Sequence, residues 1–106
     1  MNLKSIDLNL LVYLDVLLHK LSVTQAAAAL GISQPAMSNA LQRLRKLFAD
    51  PLLVRTRNGM TPTERAAQLK PLVRDIISSV ESAVASDQGF DASNADRIFR
   101  ISISDY

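Results

Sequence analysis

The chain has 106 residues, a formal net charge of +2, a single histidine and no cysteine. This length supports one small domain with an accessory element, and the lack of cysteine excludes a disulfide framework and a thiolate metal site. No apolar run is long enough to span a bilayer or has the form of a secretory signal. These properties predict a cytoplasmic protein with no membrane partner.

The small net charge hides an asymmetry along the chain. Residues 1–70 carry nine Lys and Arg against four Asp and Glu, a net +5, whereas residues 71–106 carry three against six, a net −3. A basic half suits contact with the phosphates of a nucleic acid. An ordinary solvated surface is the simpler alternative, and charge alone does not decide between the two.

The first predicted helix covers residues 5–20, with Ser5 or Asp7 as its cap. Leucines recur on two adjoining sides of this helix, so we expect two neighbours to cover it. One neighbour would be the pair of helices that follows. The other would be a C-terminal helix or a second copy of the chain.

The stretch Ser22–Leu47 has the pattern of two helices joined by a tight turn. Ser22 and Gln25 have the spacing of a capping box, and Gly31 stands where the first of the two helices must stop. Ser33 is a good N-cap for the second helix. Apolar residues at three- and four-residue spacing then give that second helix one apolar stripe.

The other face of the second helix carries hydrogen-bonding and cationic groups. Its residues are Gln34, Ser38, Asn39, Gln42, Arg43, Arg45 and Lys46. A helix–turn–helix with such an exposed face is suited to reading base edges in a DNA major groove. The alternative for Gln34 and Ser38 is ordinary surface polarity. For Arg45 and Lys46, which rank below Arg55 as candidates, the alternative is a solvated charge.

Residues 52–61 are predicted to form a β-hairpin, the wing. Leu53–Thr56 is a strand candidate, and Asn58-Gly59 is a hairpin-turn signal because both residues accept positive φ. Arg55 and Arg57 flank the tip, where a guanidinium would suit a minor groove or a phosphate. In an isolated hairpin, solvated charge would be the preferred interpretation.

A long helix is predicted for residues 63–86. The sequence Thr61-Pro62-Thr63-Glu64 is interpreted as its capping box, with Pro62 as the first helical residue. Its apolar residues at heptad spacing are Ala66, Leu69, Val73, Ile76, Val80 and Ala83. At roughly 35 Å the helix is too long for one small domain to cover, so we expect a second copy to pair with it. Pro71 would either bend or split the helix.

The composition of the chain changes after residue 86. Residues 87–96 are polar, acidic and small, which predicts a hinge. Residues 97–106 alternate apolar and polar side chains, which predicts a strand. Apart from the two strands of the predicted wing, which pair with each other, the sequence predicts no strand that could pair with it.

The runs SVTQAAAALGISQPAMSNALQRLRKLF and DPLLVRTRNGMTPT together resemble the N-terminal domain of LysR-type transcriptional regulators, in the subgroup of NodD- and NahR-like proteins, over residues 3 to about 86. The resemblance implies a mainly α fold, a winged helix–turn–helix of three helices plus a small β-hairpin wing, followed by a long linker helix. It places the DNA-binding domain at residues 1–62, with the helix–turn–helix at about 22–47, and the dimerising linker helix at 63–86. Residues 97–106 would open an effector-binding domain of a longer regulator, which would bind a small-molecule effector there and assemble as a tetramer.

The same resemblance assigns residues to functions. The predicted DNA-binding residues are Ser22, Thr24, Ser33, Gln34, Pro35, Ser38, Asn39, Gln42, Arg43, Arg55 and Arg57, and the predicted dimerisation residues are the six of the heptad stripe. Gln34 can pair with adenine through two hydrogen bonds, and Pro35 can contact a thymine methyl. Plain helix capping is the alternative function of Ser22 and Ser33.

The sequence therefore predicts a sequence-specific transcription factor of the bacterial nucleoid. A dimer would read an interrupted palindrome in double-stranded promoter DNA, with no cofactor or metal. An enzyme is not expected, because the sequence has no nucleophile–base pair, metal-ligand cluster or phosphate-cradling glycine loop. The alternative is a helical dimerisation or protein-interaction module, which would not need the charge asymmetry.

Overall fold

The structure, a computed structural model, describes residues 6–87. The elements in chain order are α1 (Asn9–Lys20), α2 (Val23–Leu30), α3 (Gln34–Phe48), β1 (Leu53–Thr56), β2 (Gly59–Pro62) and α4 (Glu64–Asp87). β1 and β2 pair as an antiparallel hairpin. This confirms the predicted mainly α fold, with a small wing and a long C-terminal helix. The predicted strand at 97–106 and the predicted hinge, apart from Asp87, lie outside the described residues.

Of the described residues, 6–74 belong to one compact unit and 75–87 to a second. The division falls within α4, and the predicted domain boundary at residue 62 stays a prediction. Among residues 6–87, no helix combines the length and the hydropathy that crossing a membrane requires.

The core of the first unit lies where α1, α2 and α3 pack against one another. Its buried side chains are Leu10, Leu14, Leu17 and Leu18 of α1, Ala26 and Ala27 of α2, and Met37, Ala40, Leu41 and Leu44 of α3. The two small α2 residues let the neighbouring helices approach closely. Within the described residues no polar or charged side chain is buried, so burial of apolar surface is the main contribution to the stability of this core.

α1 begins at Asn9, so the predicted start at residue 5 is wrong. Leu8 is the N-cap residue and its side chain makes no capping bond, but the carboxylate of the preceding Asp7, one of the two predicted caps, accepts the Asn9 N–H at 3.0 Å. On the same helix, Asp15 accepts a hydrogen bond from Arg74 Nη1 at 3.0 Å. This ion pair ties α1 to the part of α4 that belongs to the first unit.

The tight turn after α2 forms as the sequence predicts. Gly31 has φ +69°, and the following N–H, of Ile32, bonds to the Ala27 carbonyl at 3.0 Å. A Cβ added at Gly31 would meet nothing within 4 Å. Glycine is therefore favoured here by its backbone conformation rather than by lack of space.

The end of α3 uses the same geometry without glycine. Ala49 has φ +52°, and the Asp50 N–H bonds back to the Arg45 carbonyl at 3.1 Å. A left-handed backbone costs an L-residue about 1–2 kcal/mol, and the greater flexibility of unfolded glycine offsets about half of that. We expect Ala49→Gly to raise the free energy of unfolding by about 0.5–1 kcal/mol, as measured by urea denaturation.

The matched control for this change is Ala28→Gly. Ala28 is exposed and lies inside α2 with ordinary helical geometry. Glycine there should lower the free energy of unfolding by about 1 kcal/mol. If both substitutions destabilised the protein equally, Ala49 would not be strained.

The hairpin turn is displaced by one residue from its prediction. Thr56 pairs with Gly59, so Arg57 and Asn58 form the loop, and the prediction of Asn58-Gly59 as the two turn residues is wrong. Gly59 has φ +109°, whereas Asn58 is not among the residues with positive φ. The positive φ that requires glycine thus lies at residue 59, the first residue of β2. Asn58 adopts a backbone conformation without positive φ.

α4 begins at Glu64, one residue after the predicted start at residue 63. Pro62 is the last residue of β2, and the Thr63 hydroxyl accepts the Ala66 N–H at 3.1 Å. Thr63 is thus the cap, and the prediction of Pro62 as the first helical residue is wrong. Hairpin pairing extends through Leu53 and Pro62, which keeps Pro62 in the strand.

Pro71 does not split α4, which runs unbroken from Glu64 to Asp87. Proline removes the donor for the Ala67 carbonyl. Both residues are exposed, so water can supply that donor.

The predicted heptad stripe of α4 has two parts. Ala66 and Val73 are buried within the chain, at 0% and 2% exposure, and Leu69 is half-buried. Ile76 and Val80 are 47% and 56% exposed, and Ala83 is also exposed. Leu72, which the stripe omitted, is 57% exposed. The apolar surface still available to a partner is therefore the part from Leu72 onward.

Candidate nucleic-acid interface

α3 presents the predicted recognition residues to solvent. Gln34, Pro35, Ser38, Asn39, Gln42 and Arg43 are all exposed. They alternate with the buried residues Met37, Ala40, Leu41 and Leu44, which face the core. One helix thus buries an apolar stripe and leaves a row of amide, hydroxyl and guanidinium groups on the surface.

The N-termini of α2 and α3 are capped by serine. The Ser22 Oγ accepts the Gln25 N–H, and the Ser33 Oγ accepts the Ala36 N–H, each at 3.1 Å. The expected capping is therefore confirmed for both residues. Ser33 and Thr24 are exposed and Ser22 is half-buried. Their contact with phosphate remains a prediction.

An open groove lies between α3 and the wing. Ser38 and Gln42 line it on the α3 side, and Arg55 lines it on the wing side. The structure therefore brings these three predicted residues together around one space. Gln34 and Arg57 do not line this groove, although both are exposed.

The two wing arginines are free of partners among residues 6–87. Arg55 and Arg57 are exposed, and neither takes part in an ion pair or a hydrogen bond of its side chain. Their guanidinium groups keep all their donors, in the fork geometry that matches phosphate. This part of the surface can bind an anion without first breaking an internal contact.

Arg43 lies apart from that group. Its Nη1 is 3.6 Å from an Asp7 carboxylate oxygen, and it lines a separate shallow groove with Leu10 and Lys46. Both side chains of the pair are substantially exposed, so the ion pair contributes little to stability. The predicted DNA contact of Arg43 would come from the α1 side of α3, away from the wing.

Arg45 is hydrogen-bonded within the chain. Its Nε–H donates to the Pro51 carbonyl at 2.7 Å, and its Nη2–H donates to the Leu53 carbonyl at 2.8 Å. The interpretation of Arg45 as a solvated charge is therefore wrong. Sequence gave no signal for these bonds, because both acceptors are backbone atoms whose position depends on the path of the chain after α3.

Asp50 links the segment between α3 and β1 to the N-terminal end of α4. Its Oδ2 accepts the Thr63 hydroxyl at 2.6 Å and the Leu52 N–H at 2.8 Å. The Thr63 N–H in turn donates to the Leu52 carbonyl at 2.9 Å. The hydrogen bonds from Thr63 and Leu52, aided by the charge of Arg65, hold the pKa of Asp50 below its ordinary value. The base of the wing is thus bonded to α3 through Arg45 and to α4 through Asp50.

Comparison of the chain with a family profile and with known protein sequences points to one family of bacterial regulators. The profile of the "bacterial regulatory helix-turn-helix protein, lysR family" matches residues 8–67. The chain is 47% identical over 106 residues to nodulation protein D of Azorhizobium caulinodans, covering 100% of the chain and 34% of that protein. It is 42% identical over 105 residues to the transcriptional activator NahR of Pseudomonas putida, covering 99% of the chain and 35% of that protein. The chain thus spans about a third of the length of these curated relatives.

Solved structures share the fold. A probable transcriptional regulator from Pseudomonas aeruginosa aligns with a TM-score of 0.73 and 38% identity, over 79% of this chain and 28% of that one. The DNA-binding domain of BenM, solved in complex with catB site 1 DNA, aligns with a TM-score of 0.73 and 25% identity, over 78% of this chain and 93% of that one. The fold is therefore the winged helix–turn–helix of these regulators, with a long C-terminal helix.

Proposed function

The chain belongs to the lysR family of bacterial regulatory helix-turn-helix proteins, and we propose that it reads promoter DNA by placing α3 in a major groove and the wing beside it. The observation that carries this proposal is the groove between the two. Ser38 and Gln42 line one side of the groove, Arg55 lines the other, and the Arg55 guanidinium has no partner among the described residues.

The side chains divide into base readers and backbone contacts. Gln34, Pro35 and Ser38 lie in the first turns of α3, the part of a recognition helix that contacts base edges. Asn39 and Gln42 extend this row. Arg55 and Arg57 on the wing would contact phosphate or a flanking minor groove, and Arg43 would contact backbone on the α1 side. Ser22, Thr24 and Ser33 lie where N-terminal N–H groups favour phosphate.

We further propose that two copies pair through α4. Three large apolar side chains of this helix, Leu72, Ile76 and Val80, are between 47% and 57% exposed and lie four residues apart. Ala83 continues the row. Exposed apolar side chains on one helix face indicate a partner. A pair would present two α3 helices to an interrupted palindrome whose half-sites lie about one helical turn, or a multiple of it, apart.

The experiment that tests the function is selection from a pool of randomised duplexes. The chain is expected to enrich one sequence with two inverted half-sites, and to bind it more tightly than a scrambled duplex in an anisotropy titration. Affinity for both should fall steeply with salt, because each neutralised phosphate adds about 0.9 to the log–log slope. A folded chain that binds no duplex at low salt would refute the proposal and favour a protein-interaction module.

Substitutions separate the two kinds of contact. Gln34→Ala and Ser38→Ala should each reduce the preference for the selected duplex over single-base variants by about 1–3 kcal/mol, because a hydrogen bond to a base edge is lost. Arg55→Ala should instead weaken binding to all duplexes and lower the salt slope by about 1. Both quantities come from anisotropy titrations across a salt series.

Ser78→Ala is the matched control for Ser38→Ala, since Ser78 is an exposed serine on α4 outside both the proposed DNA interface and the apolar row. It should leave both quantities unchanged. If Gln34→Ala, Ser38→Ala and Arg55→Ala weakened selected and scrambled duplexes equally, the assignment of base readers would be refuted.

A further inference from the structure

We propose that Arg45 is the positioning residue that fixes the wing against α3 and so sets the separation of Ser38 and Arg55 across the groove. This inference rests on the proposed function, because the separation matters only if the groove receives DNA. Arg45 also lines the groove, but its guanidinium is not a free charge there. Two of its donors are directed at the Pro51 and Leu53 carbonyls, at 2.7 and 2.8 Å.

The wing has few other means of holding its position. All residues of the outer hairpin, from Val54 to Gly59, are exposed. An isolated two-stranded hairpin is marginally stable in water at best. The direction in which the wing projects is therefore decided at its base, where Leu52 and Leu53 are fully buried.

The base of the wing is a strained turn. Leu52 has φ +64°, and the Leu53 N–H bonds to the Pro51 carbonyl at 2.7 Å, which closes a three-residue γ-turn around Leu52. A turn of this hand is rare and strained, and it persists only where surrounding contacts over-determine it. Arg45 binds the carbonyl on either side of Leu52 and thus holds both ends of the turn.

Hairpin pairing does not satisfy the Leu53 carbonyl. Leu53 and Pro62 form a non-hydrogen-bonded pair, because cross-strand bonds alternate along the hairpin and the next one runs from the Thr63 N–H to the Leu52 carbonyl. The Leu53 carbonyl therefore points away from β2 and needs another donor. The Arg45 Nη2–H supplies that donor instead. Only the planar fork of a guanidinium presents two parallel donors to two acceptors, whereas a lysine ammonium acts as a point charge on a flexible stem.

The test compares Arg45→Lys and Arg45→Met with the unaltered chain. Both variants are expected to lose about tenfold or more in affinity for the selected duplex, since methionine makes neither charge-assisted hydrogen bond and a lysine ammonium cannot reproduce the paired geometry. Amide hydrogen exchange should become faster in the hairpin while protection of α3 is retained. Lys70→Met, which removes an exposed charge of α4, is the charge-matched control and should leave hairpin exchange unchanged.

Retention of positive charge distinguishes positioning from direct contact. If Arg45→Lys kept the affinity and the hairpin protection of the unaltered chain, Arg45 would act through its charge and the inference would be overturned. If Arg45→Met failed to fold, Arg45→Lys alone would decide. If the unaltered chain bound no duplex at low salt, the proposed function would fail, and hairpin exchange in Arg45→Lys would still decide whether Arg45 holds the wing.

Discussion

Ile76→Glu is expected to convert the proposed dimer into monomers and to lower the affinity for a two-half-site duplex by about 100-fold or more. Ile76 lies midway in the exposed apolar row of α4 and is 47% exposed in the single chain. In a paired helix its side chain would be buried, and a carboxylate buried there without a partner is costly. Sedimentation velocity measures the mass, and anisotropy measures the affinity.

The control for this change is Ser78→Glu, which adds the same charge on the opposite side of α4. Ser78 is exposed and is not part of the apolar row. It should leave the mass and the affinity unchanged. An Ile76→Glu protein that still sedimented as a dimer would show that this face of α4 does not hold two copies together.

The second large effect is expected in the core. Leu14 is 0% exposed on a helix that packs against both α2 and α3. Leu14→Ala should lower the free energy of unfolding by about 2–5 kcal/mol, through lost apolar burial and the cavity left behind. Small domains have only about 5–15 kcal/mol in total, so a substantial unfolded population and weakened DNA binding are expected. Urea denaturation at constant protein concentration measures the change.

Leu8→Ala provides the comparison at the start of the same helix. Leu8 is 60% exposed, so the same truncation removes little buried surface and should change stability by less than about 0.5 kcal/mol. If the two substitutions were equally mild, the three-helix core would be able to close the cavity at Leu14, and the position of α3 would not depend on it.

Local chemistry in the sequence was sufficient to predict much of the helix–turn–helix. Serine at two N-caps and glycine in the turn are short-range signals, and Ser22, Ser33 and Gly31 act as predicted. The periodic spacing in α3 likewise separated buried from exposed residues. These features depend on neighbours within four residues, which a single sequence displays directly.

Contacts between residues further apart in the sequence could not be predicted in this way. Heptad spacing shows which α4 residues share a face, but it does not show that Ala66 and Val73 are already covered within the chain. The partners of Arg45 are carbonyl groups six and eight residues away, which come within reach only after Leu52 takes a left-handed turn. No property of leucine predicts that turn, since its side chain disfavours it.

The bonding at the base of the wing also limits how copies can associate. A two-stranded sheet has two open edges that could recruit a strand from another molecule. On β1 the Leu53 N–H and carbonyl are both occupied, and on β2 Pro62 has no N–H to offer. Toward the tip, the charges of Arg55 and Arg57 repel a second hairpin of the same kind. Copies brought close together would therefore resist edge-to-edge aggregation through their wings.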